Sequence, residues 1–509
     1  MLSNFEKPQS GDLIAGVSVA LVLIPQSIAY AFLAGMPPVY GVYASILPPI
    51  VAAFFVSSRY LQTGPVAMTC LLTFGALTAF AEPMSREYIG LAALLALLVG
   101  IVRLLIGYSR AGYIAYLMSQ PVIAGFTAAA ALIIIATQLP TFFGVSKNGE
   151  GIIRTALSVL ISPQSWSLQS LSLGVPSILI IVFGRKIHAL FPGVLIAVIL
   201  GILFTRFGNY DRELVGQLSA GLPHLSIDLP WNRFKELIIP AIVIALVGFA
   251  EPAAIARNMA TKNRQSWSVN KEFISQGMAN LAAGFSNCFP VGGSFSRTMI
   301  NFKAGGKTRW SGAVTGLTVL ASIPFISILS QLPKTALAAI IISAVISLVD
   351  VKSLYRILIT SPAQGSVGWI TFGLTLFLTP RVDIAVLLGI GLGVAVHLWR
   401  EKRIDVINQY ENATLTLAPV GVLFFGSAPA LAEVLIKNLA EHPEAENLVL
   451  DLRKVGRIDY TGALILQQVA HDAESSGLSV RIIPGNPLQG VRLLKRVLGE
   501  DSLWLSNDR

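Results

Sequence analysis

Long apolar runs recur through the first 400 residues, and they restrict the possible folds more than any other feature of the sequence. A helix needs about 20 mainly apolar residues to cross the hydrocarbon core of a bilayer. Since backbone N–H and C=O groups must be paired inside lipid, runs of this length predict helices that span a membrane. The sequence therefore predicts an all-α polytopic membrane domain of fourteen transmembrane segments, near 13–33, 41–57, 65–81, 88–108, 121–139, 171–184, 190–205, 237–256, 273–289, 294–304, 310–329, 335–349, 365–379 and 382–399.

The charge content supports this interpretation. Charged residues make up 13% of the chain, against roughly 25% in soluble proteins. A net charge of +10 could indicate a nucleic-acid partner, but lysine and arginine concentrate in short loops between the apolar runs, as in membrane topology. An even number of spans places both termini on one side, and the basic loops 257–271, 303–309 and 400–403 place that side in the cytoplasm. We expect a multi-pass protein of the inner (plasma) membrane with cytoplasmic termini and no nucleic-acid partner.

Motifs that carry enzyme chemistry are missing from the sequence. There is no Walker motif, no nucleophile elbow of the G-x-S-x-G type and no spacing typical of zinc ligands. Cys70 and Cys288 lie far apart in apolar runs, and we expect both to be small buried side chains. We therefore expect neither an enzyme nor a bound metal or cofactor.

The character of the chain changes after Arg403. Of its 27 acidic residues, 13 lie up to residue 400 and 14 in the last 109 positions. We predict a transmembrane domain over residues 1–403 and a small α/β cytoplasmic domain over residues 404–509. Asp459 or Thr461 is expected to cap a helix, and a phosphorylated, regulatory Thr461 is the alternative. Strand-like and helical runs alternate in this tail, the strands at 413–417, 421–425, 447–452 and 479–483, and the helices at 428–439, 461–475 and 487–498.

One polar stretch, residues 290–298, interrupts the apolar pattern. It contains two glycines, three hydroxyl side chains and Arg297, and it lies between two apolar runs. An arginine at the bilayer centre costs about 2.5–3.5 kcal/mol on insertion scales, so it is expected to face a cavity, a partner or a ligand. Proline and glycine interrupt helices where transporters line a binding site. We therefore predict that an anion binds here.

The two halves of the membrane domain resemble each other at two places. Residues 21–30 resemble 246–255, and residues 63–69 resemble 292–298, at similar separations. Because each half would hold an odd number of helices, seven, the second copy must enter the membrane in the opposite direction. This predicts a seven-plus-seven inverted repeat in which the two interrupted segments form half-helices at 65–72 and 294–302, with their N-termini facing each other. Two helix N-termini and a guanidinium would favour an anion with several acceptor oxygens.

Several polar side chains in the apolar runs are candidates for function. Glu251 is the one carboxylate that the pattern places deep in a span; removal from water favours its protonated form, and a nearby Arg297 favours its charged form. We expect Glu251 to couple a proton to transport, the alternative being a structural partner of Arg297. Arg297 is expected to contact the ligand rather than to snorkel or to form a permanent ion pair. Gln26 and Tyr30, one turn apart, can line one cavity or make ordinary helix contacts, and Arg103 is expected to snorkel to a cytoplasmic end.

These motifs resemble those of a known family. Residues 35–45, GMPPVYGVYAS, closely resemble the signature of the sulfate permease (SulP) family. Residues 24–31, 63–67 and 290–301 resemble further blocks of that family. The tail resembles a STAS domain, with VLDL at 449–452 followed by IDYTG at 458–462. Together the matches cover essentially the whole chain.

The resemblance implies core and gate subdomains, an elevator-like movement of the core, and a homodimer. In the family the anion lies between the third and tenth helices, and Glu251 matches the ion-coupling position of the eighth. Sodium-dependent bicarbonate members have an aspartate there with a nearby hydroxyl, which this chain lacks, so a proton is expected rather than sodium. The resemblance and the two interrupted segments give the predicted substrate-binding residues, which are Gln26, Tyr30, Thr63, Gly64, Val66, Ala67, Gly293, Ser294, Phe295, Ser296 and Arg297.

We therefore predict a secondary active transporter that moves an oxyanion, with sulfate as the first choice, in symport with a proton. Alternatives are uptake of bicarbonate or of a dicarboxylate such as fumarate or succinate, sodium-coupled transport, and anion exchange. A channel-like member, and a membrane-anchored signalling protein whose STAS-like tail binds a cytoplasmic protein, are further alternatives. The sequence does not select the anion, because each candidate suits an arginine between helix N-termini.

Overall fold

The computed structural model describes residues 7–116, 118–146, 151–188, 190–208, 210–218, 221–402, 404–485, 488–499 and 504. The chain divides into two compact units, Met1–Gly391 and Leu392–Arg509. This division falls inside the last apolar helix. The predicted boundary residue, Arg403, and the predicted start of the last helix, Pro487, lie outside the described residues. The domain boundary at 403/404 therefore stays a prediction.

Helices make up most of the first unit. Within the described residues it also has two strands of three residues each, β1 (Gln62–Gly64) and β2 (Gly292–Ser294). The helices are α1 (Ser10–Leu33), α2 (Pro38–Tyr43), α3 (Leu47–Phe55), α4 (Ala67–Leu77), α5 (Arg86–Tyr108), α6 (Gln120–Phe143), α7 (Ile152–Ile161), α8 (Leu168–Ile187), α9 (Gly193–Phe207), α10 (Phe234–Lys262), α11 (Val269–Phe285), α12 (Phe295–Lys303), α13 (Trp310–Ser322), α14 (Lys334–Val345), α15 (Val351–Thr360), α16 (Pro362–Phe377) and α17 (Val382–Glu401).

The lengths and apolar character of these helices suit a membrane. In the part of the chain that the structure describes, eight helical stretches are long and apolar enough to cross a bilayer, by length and composition alone. Shorter apolar helices accompany them, among them α4 and α9. The run predicted at 41–57 contains the end of α2 and all of α3, where Pro48 and Pro49 suit the first turn of α3. A mostly helical membrane domain is confirmed, whereas the count of fourteen spans and the inverted repeat stay predictions.

The middle of helix α5 is buried inside the first unit. Its residues 91–97 are almost completely buried, as expected for an apolar stretch enclosed by other helices, whereas Ile101, Leu105 and Tyr108 further along the helix are exposed. It packs tightly on α11, because a Cβ at Gly100 would lie 2.9 Å from the backbone oxygen of Gly277. Small residues allow this close approach between membrane helices. The contact places α11 where its side chains reach both short strands.

The second unit contains an α/β fold, as predicted. Its strands in the described residues are β3 (Asp405–Glu411), β4 (Thr414–Leu423), β5 (Asn447–Asp451), β6 (Val455–Ile458) and β7 (Ser479–Ile483), and its helices are α18 (Ala428–Glu441), α19 (Tyr460–Ser475) and α20 (Leu488–Leu498). The strand order is β3-β4-β5-β7, with β6 also paired to β4. The β3–β4 pair is antiparallel, and the other pairs are parallel. Leu415, Leu417, Leu448, Leu450 and Ile482 form the fully buried centre of its core.

Two details of the tail differ from the sequence prediction. The runs at 413–417 and 421–425 were predicted as separate strands, but β4 is continuous from Thr414 to Leu423. Strands β3 and β6 were not predicted; β3 is largely exposed, so it lacks the apolar alternation that marks a strand. The predicted cap of α19 is confirmed for Asp459, whose Oδ1 accepts a hydrogen bond of 2.7 Å from the N–H of Gly462. Regulation through Thr461 stays a prediction.

Candidate functional site

Two short strands hold the starts of α4 and α12 side by side. Strand β1 pairs with β2 in antiparallel register, with Thr63 opposite Gly293 and Gly64 opposite Gly292. Helix α4 begins three residues after β1, and α12 begins directly after β2. Within the described residues neither helix start has a capping hydrogen bond from the side chain at its N-cap position. The first N–H groups of α4, and those of α12 after Phe295, whose N–H faces the carboxyl of Glu251, are therefore available to a bound anion.

A cavity of about 440 Å³ lies against these two helix starts. Its opposite wall is apolar and includes Ile181 of α8, Val194 of α9 and Val345 of α14. The volume exceeds that of a small oxyanion. The cavity brings together seven of the predicted residues, Tyr30, Val66, Ala67, Glu251, Ser294, Phe295 and Ser296.

Arg297 lies in the first turn of α12, and its side chain is almost completely buried, with 1% of its surface exposed. None of its three guanidinium nitrogens has a hydrogen-bond partner among the described residues. A Cβ added at Gly64 would lie 3.4 Å from Nη2, so glycine at this position leaves room beside the guanidinium. A buried arginine that neither reaches solvent nor is paired leaves a large desolvation cost uncompensated. The geometry thus favours a ligand contact over snorkelling or a permanent ion pair.

Helix α1 adds Gln26 and Tyr30 to the same region. The side chain of Gln26 is buried, and neither its amide nitrogen nor its amide oxygen has a partner in the described part of the chain. Tyr30 lines the cavity and interacts electrostatically with Arg297. A buried amide without partners is rare in proteins, since an unpaired polar group costs about 1–3 kcal/mol. Gln26 therefore resembles Arg297 in having donors and acceptors that a ligand could satisfy.

Glu251 enters the cavity from α10. Its carboxyl faces the backbone N–H of Phe295, the first residue of α12. It also interacts electrostatically with Arg297, but the two side chains are not among the ion pairs within 4.0 Å. The arrangement places an ionisable carboxyl at the start of α12, close to Arg297 but outside ion-pair distance.

Not every predicted residue lines the cavity. The buried side chains of Gln26 and Arg297 are not among its lining residues, and neither are three further predicted residues. The side chain of Thr63 accepts a hydrogen bond of 2.8 Å from Gln276 Nε2 instead. Gly64 and Gly293 belong to the paired strands, and a Cβ at Gly293 would lie 2.7 Å from a Leu61 methyl carbon. These three residues shape the backbone of the site, and a direct role in binding stays a prediction for each.

The model of the sulfate permease family matches residues 10–371, and the model of the STAS domain matches residues 406–488. The chain belongs to the sulfate permease family. It is 34% identical over 421 residues to "Sulfate transporter 4.1, chloroplastic" of Arabidopsis thaliana, a match that covers 79% of this chain and 61% of that protein. The match spans about three fifths of the length of the four curated relatives that are 33–35% identical to the chain. These relatives are named transporters, in agreement with the prediction that the chain is not an enzyme.

Two solved structures of transporters share the fold. The murine anion transporter Slc26a9 in the inward-facing state is similar with a TM-score of 0.87 at 20% identity, over 99% of this chain and 90% of that chain. The transmembrane domain of the cyanobacterial bicarbonate transporter BicA is similar with a TM-score of 0.64 at 22% identity, over 76% of this chain and 97% of that chain. At these identities the likeness concerns the fold alone.

In this member of the sulfate permease family, α11 supports the site with residues that the sequence analysis missed. Asn280 clamps the residue before β2, since its Oδ1 accepts from the N–H of Val291 at 3.0 Å and its Nδ2 donates to the Val291 oxygen at 3.0 Å. Gln276, one turn earlier, holds β1 through Thr63. Amides spaced four residues apart on an apolar helix share one face, and this spacing is the signal that could have identified them.

Arg103 also supports β2, and the prediction that it snorkels is wrong. Its side chain is fully buried, and it donates to the backbone oxygens of Val291 at 3.1 Å, Ala245 at 3.2 Å and Ile244 at 3.2 Å. It therefore ties α10, which carries Glu251, to the strand that leads into α12. Hydropathy alone could not distinguish an arginine that reaches a helix end from one enclosed by protein.

Besides the half-buried Glu251, the first unit contains carboxylates that are completely buried. Glu272, in the first turn of α11, is fully buried and accepts hydrogen bonds from the Ser58 N–H at 3.0 Å and from Trp267 Nε1 at 3.1 Å. The apolar run began one residue later, so the pattern placed Glu272 in a loop. Its hydrogen bonds join α11 to the segment before β1, which is a structural role.

Proposed function

We propose that this chain is a secondary active transporter that couples uptake of an oxyanion, with sulfate as the preferred substrate, to a proton. The observation that carries the proposal is the buried, unpartnered guanidinium of Arg297 between two helix N-termini. The planar guanidinium fork and the free N–H groups match an anion with several acceptor oxygens. The relatives named as sulfate transporters support sulfate as the substrate.

The charges around the cavity support coupling through Glu251. We call the starts of α4 and α12 together with Arg297 the anion cradle. Each helix N-terminus contributes roughly half a positive charge, and the guanidinium contributes one, so the anion cradle carries about +2. An ionised Glu251 would reduce this to about +1, which is a poor match for a dianion. Protonation of Glu251 restores the match, so binding of the dianion and of a proton favour each other.

The walls of the cavity support an elevator-like movement. Helices α1, α4, α10 and α12 line one part of the cavity, with polar side chains from α1, α10 and α12, and α8, α9 and α14 provide apolar side chains to the rest. We propose that the first group moves as a core against the second group as a gate, carrying the anion across the membrane. The proposal includes the inverted repeat, a homodimer, the plasma membrane and cytoplasmic termini.

Uptake into proteoliposomes tests the proposal. Radiolabelled sulfate, bicarbonate and fumarate are offered, each with an imposed proton gradient or an imposed sodium gradient. We expect sulfate to accumulate under the proton gradient, and we expect Glu251→Gln to abolish accumulation while anion exchange continues. Glu236→Gln, on the same helix but outside the cavity, is the matched control and should accumulate sulfate as the wild type does.

Other outcomes point to the other functions. Accumulation driven by sodium, or preference for bicarbonate or fumarate, would replace the coupling ion or the substrate in the proposal. Exchange without accumulation would indicate an exchanger, and equilibration without saturation would indicate a channel. Unimpaired proton-driven accumulation by Glu251→Gln would show that another group carries the proton.

A further inference from the structure

The cavity has charged groups at two places. Among the described residues that line it, the charged ones are Glu251, beside the start of α12, and Lys303, at the end of the same helix. Ser296, Met299, Ile300 and Lys303 also line the cavity and follow the i, i+3, i+4, i+7 spacing of a single helix face. At 1.5 Å per residue, Lys303 lies about 10 Å along the axis from Ser296. One face of α12 thus runs from the anion cradle to a lysine.

Lys303 is exposed, so it lies where the cavity opens. It forms no ion pair with any described residue. The nearby Lys262 is directed elsewhere, because its Nζ lies 5.4 Å from the ring centroid of Phe302 and it does not line the cavity. The amino group of Lys303 is therefore free to meet an anion that enters.

An anion that moves along α12 must pass the negatively charged C-terminal end of this helix, so a cation is needed at that end. The C-terminus of a helix carries roughly half a negative charge, and an ionised Glu251 deeper in the cavity adds another. An anion that approached along α12 without a cation would be repelled at both places. Lys303 reverses the sign of the potential at the opening, and a charged cavity with low-dielectric walls concentrates ions of the opposite sign.

We infer that Lys303 is an anion-capture residue at the cytoplasmic opening of the cavity, the side predicted from the basic loop 303–309, where it holds oxyanions about 10 Å from the anion cradle and favours divalent over monovalent ones. The inference rests on the proposed function and adds a second, weaker anion-binding site to it. The preference follows from Coulomb's law, because the interaction energy doubles when the charge of the anion doubles.

Initial uptake rates at low substrate concentration test the inference in proteoliposomes whose transporters have the cytoplasmic face outward, so that the anion enters past Lys303. Wild type and Lys303→Gln are compared in proteoliposomes with sulfate and with bicarbonate, at an ionic strength of about 0.01 M and of about 0.15 M, where the Debye length is about 30 Å and about 8 Å. At low ionic strength we expect a loss of about threefold for bicarbonate and about ninefold for sulfate, because the ratio is squared for a double charge. Both losses should shrink at the higher ionic strength, and Lys303→Arg should restore the wild-type rates.

Lys262→Gln is the matched control, since it removes a lysine near the end of α12 that does not line the cavity. Its effect should be clearly smaller than that of Lys303→Gln. If the uptake rates of sulfate and bicarbonate fall equally, and the fall does not change with ionic strength, the inference is overturned. Such a result would indicate that the charge of Lys303 only stabilises the end of α12. Unchanged rates in Lys303→Gln would overturn it as well. If the wild type takes up none of the anions, the proposed function fails and the inference fails with it.

Discussion

The first unit buries two arginines that differ in their hydrogen bonds. This difference indicates which of them has a structural role and which is a candidate for function. Arg103 donates to three backbone oxygens, so its charge is spread over protein dipoles. Arg297 has no hydrogen-bond partner among the described residues, although its guanidinium carries five donors. Since burying an unpaired guanidinium is costly, we assign the first arginine to the scaffold and propose that the second contacts a ligand.

Arg297→Lys should raise the KM for sulfate by about 10-fold to 100-fold, because one charge-assisted hydrogen bond contributes about 1.5–3 kcal/mol and lysine cannot form the bidentate contact. The KM is measured from initial uptake rates in proteoliposomes. Arg103→Lys serves as the comparison, and we expect it to lower thermal stability in detergent more than Arg297→Lys does. An unchanged KM in Arg297→Lys would exclude direct contact with the anion.

Individual candidate residues were easier to predict from the sequence than the contacts around them. The cost of an arginine in lipid singled out Arg297 as a candidate without any structure, since a charge in an apolar region is expected to face a ligand, a partner or a cavity. The same reasoning failed for Arg103, because its position in a run does not reveal whether a neighbouring helix offers carbonyl oxygens. Apolar sequence shows that a residue lies at membrane depth but does not show which side chains face it.

At the scale of elements, the half-helices were predictable, and the pairing that holds them was not. Half-helices predicted at 65–72 and 294–302 agree with α4 and α12 to within a few residues at their starts. Strands of three residues show no alternation of apolar and polar side chains, so β1 and β2 left no signal. Strand β3 was missed because the turn that joins it to β4 also lacks a sequence signal. The turn consists of Asn412 and Ala413, both with positive φ, and not of the Asn-Gly pair that usually marks a tight hairpin.

Asn280→Ala should weaken anion binding although Asn280 does not line the cavity. It removes both hydrogen bonds to the backbone of Val291, so β2 and the start of α12 lose their fixed position. We expect the KM for sulfate to rise by about 10-fold, on the order of one lost positioning contact of about 1.4 kcal/mol. Ser275→Ala, which removes a hydrogen bond from the same helix to Ala52, is the control and should leave the KM unchanged. A lower maximal rate with an unchanged KM would contradict this role.

At the scale of the whole molecule, the sequence separated the two kinds of domain by charge alone. Acidic residues are scarce up to residue 400 and frequent beyond it, as expected when one part meets lipid and the other meets water. The alternation of strands and helices then predicted an α/β fold, although the order of its strands required the structure. Non-local pairings such as β4 with β6 have no counterpart in a local pattern.

A chain that ends at Lys402 should bind sulfate as the full chain does. Every residue that lines the cavity belongs to the first compact unit, so the KM should agree within about twofold, the scatter ordinarily expected of an energetic effect below about 0.5 kcal/mol. Uptake is measured after size-exclusion chromatography has shown that the truncated protein is folded. A large rise in the KM would assign part of the anion site to the STAS-like unit. Binding of a cytoplasmic protein by the tail, together with no transport by either chain, would favour the signalling alternative.

The pairing of β1 with β2 has a consequence for how the protein is made. Gln62 pairs with Ser294, and its N–H donates to Thr298, a partner 236 residues away. Contacts between such distant positions form late, because the loop between them must first be closed. During synthesis the first strand must wait until most of the membrane unit has been translated and inserted. A nascent chain that stalls before β2 is completed therefore holds no anion site, and loss of sulfate protection against proteolysis in such stalled chains would report the order of assembly.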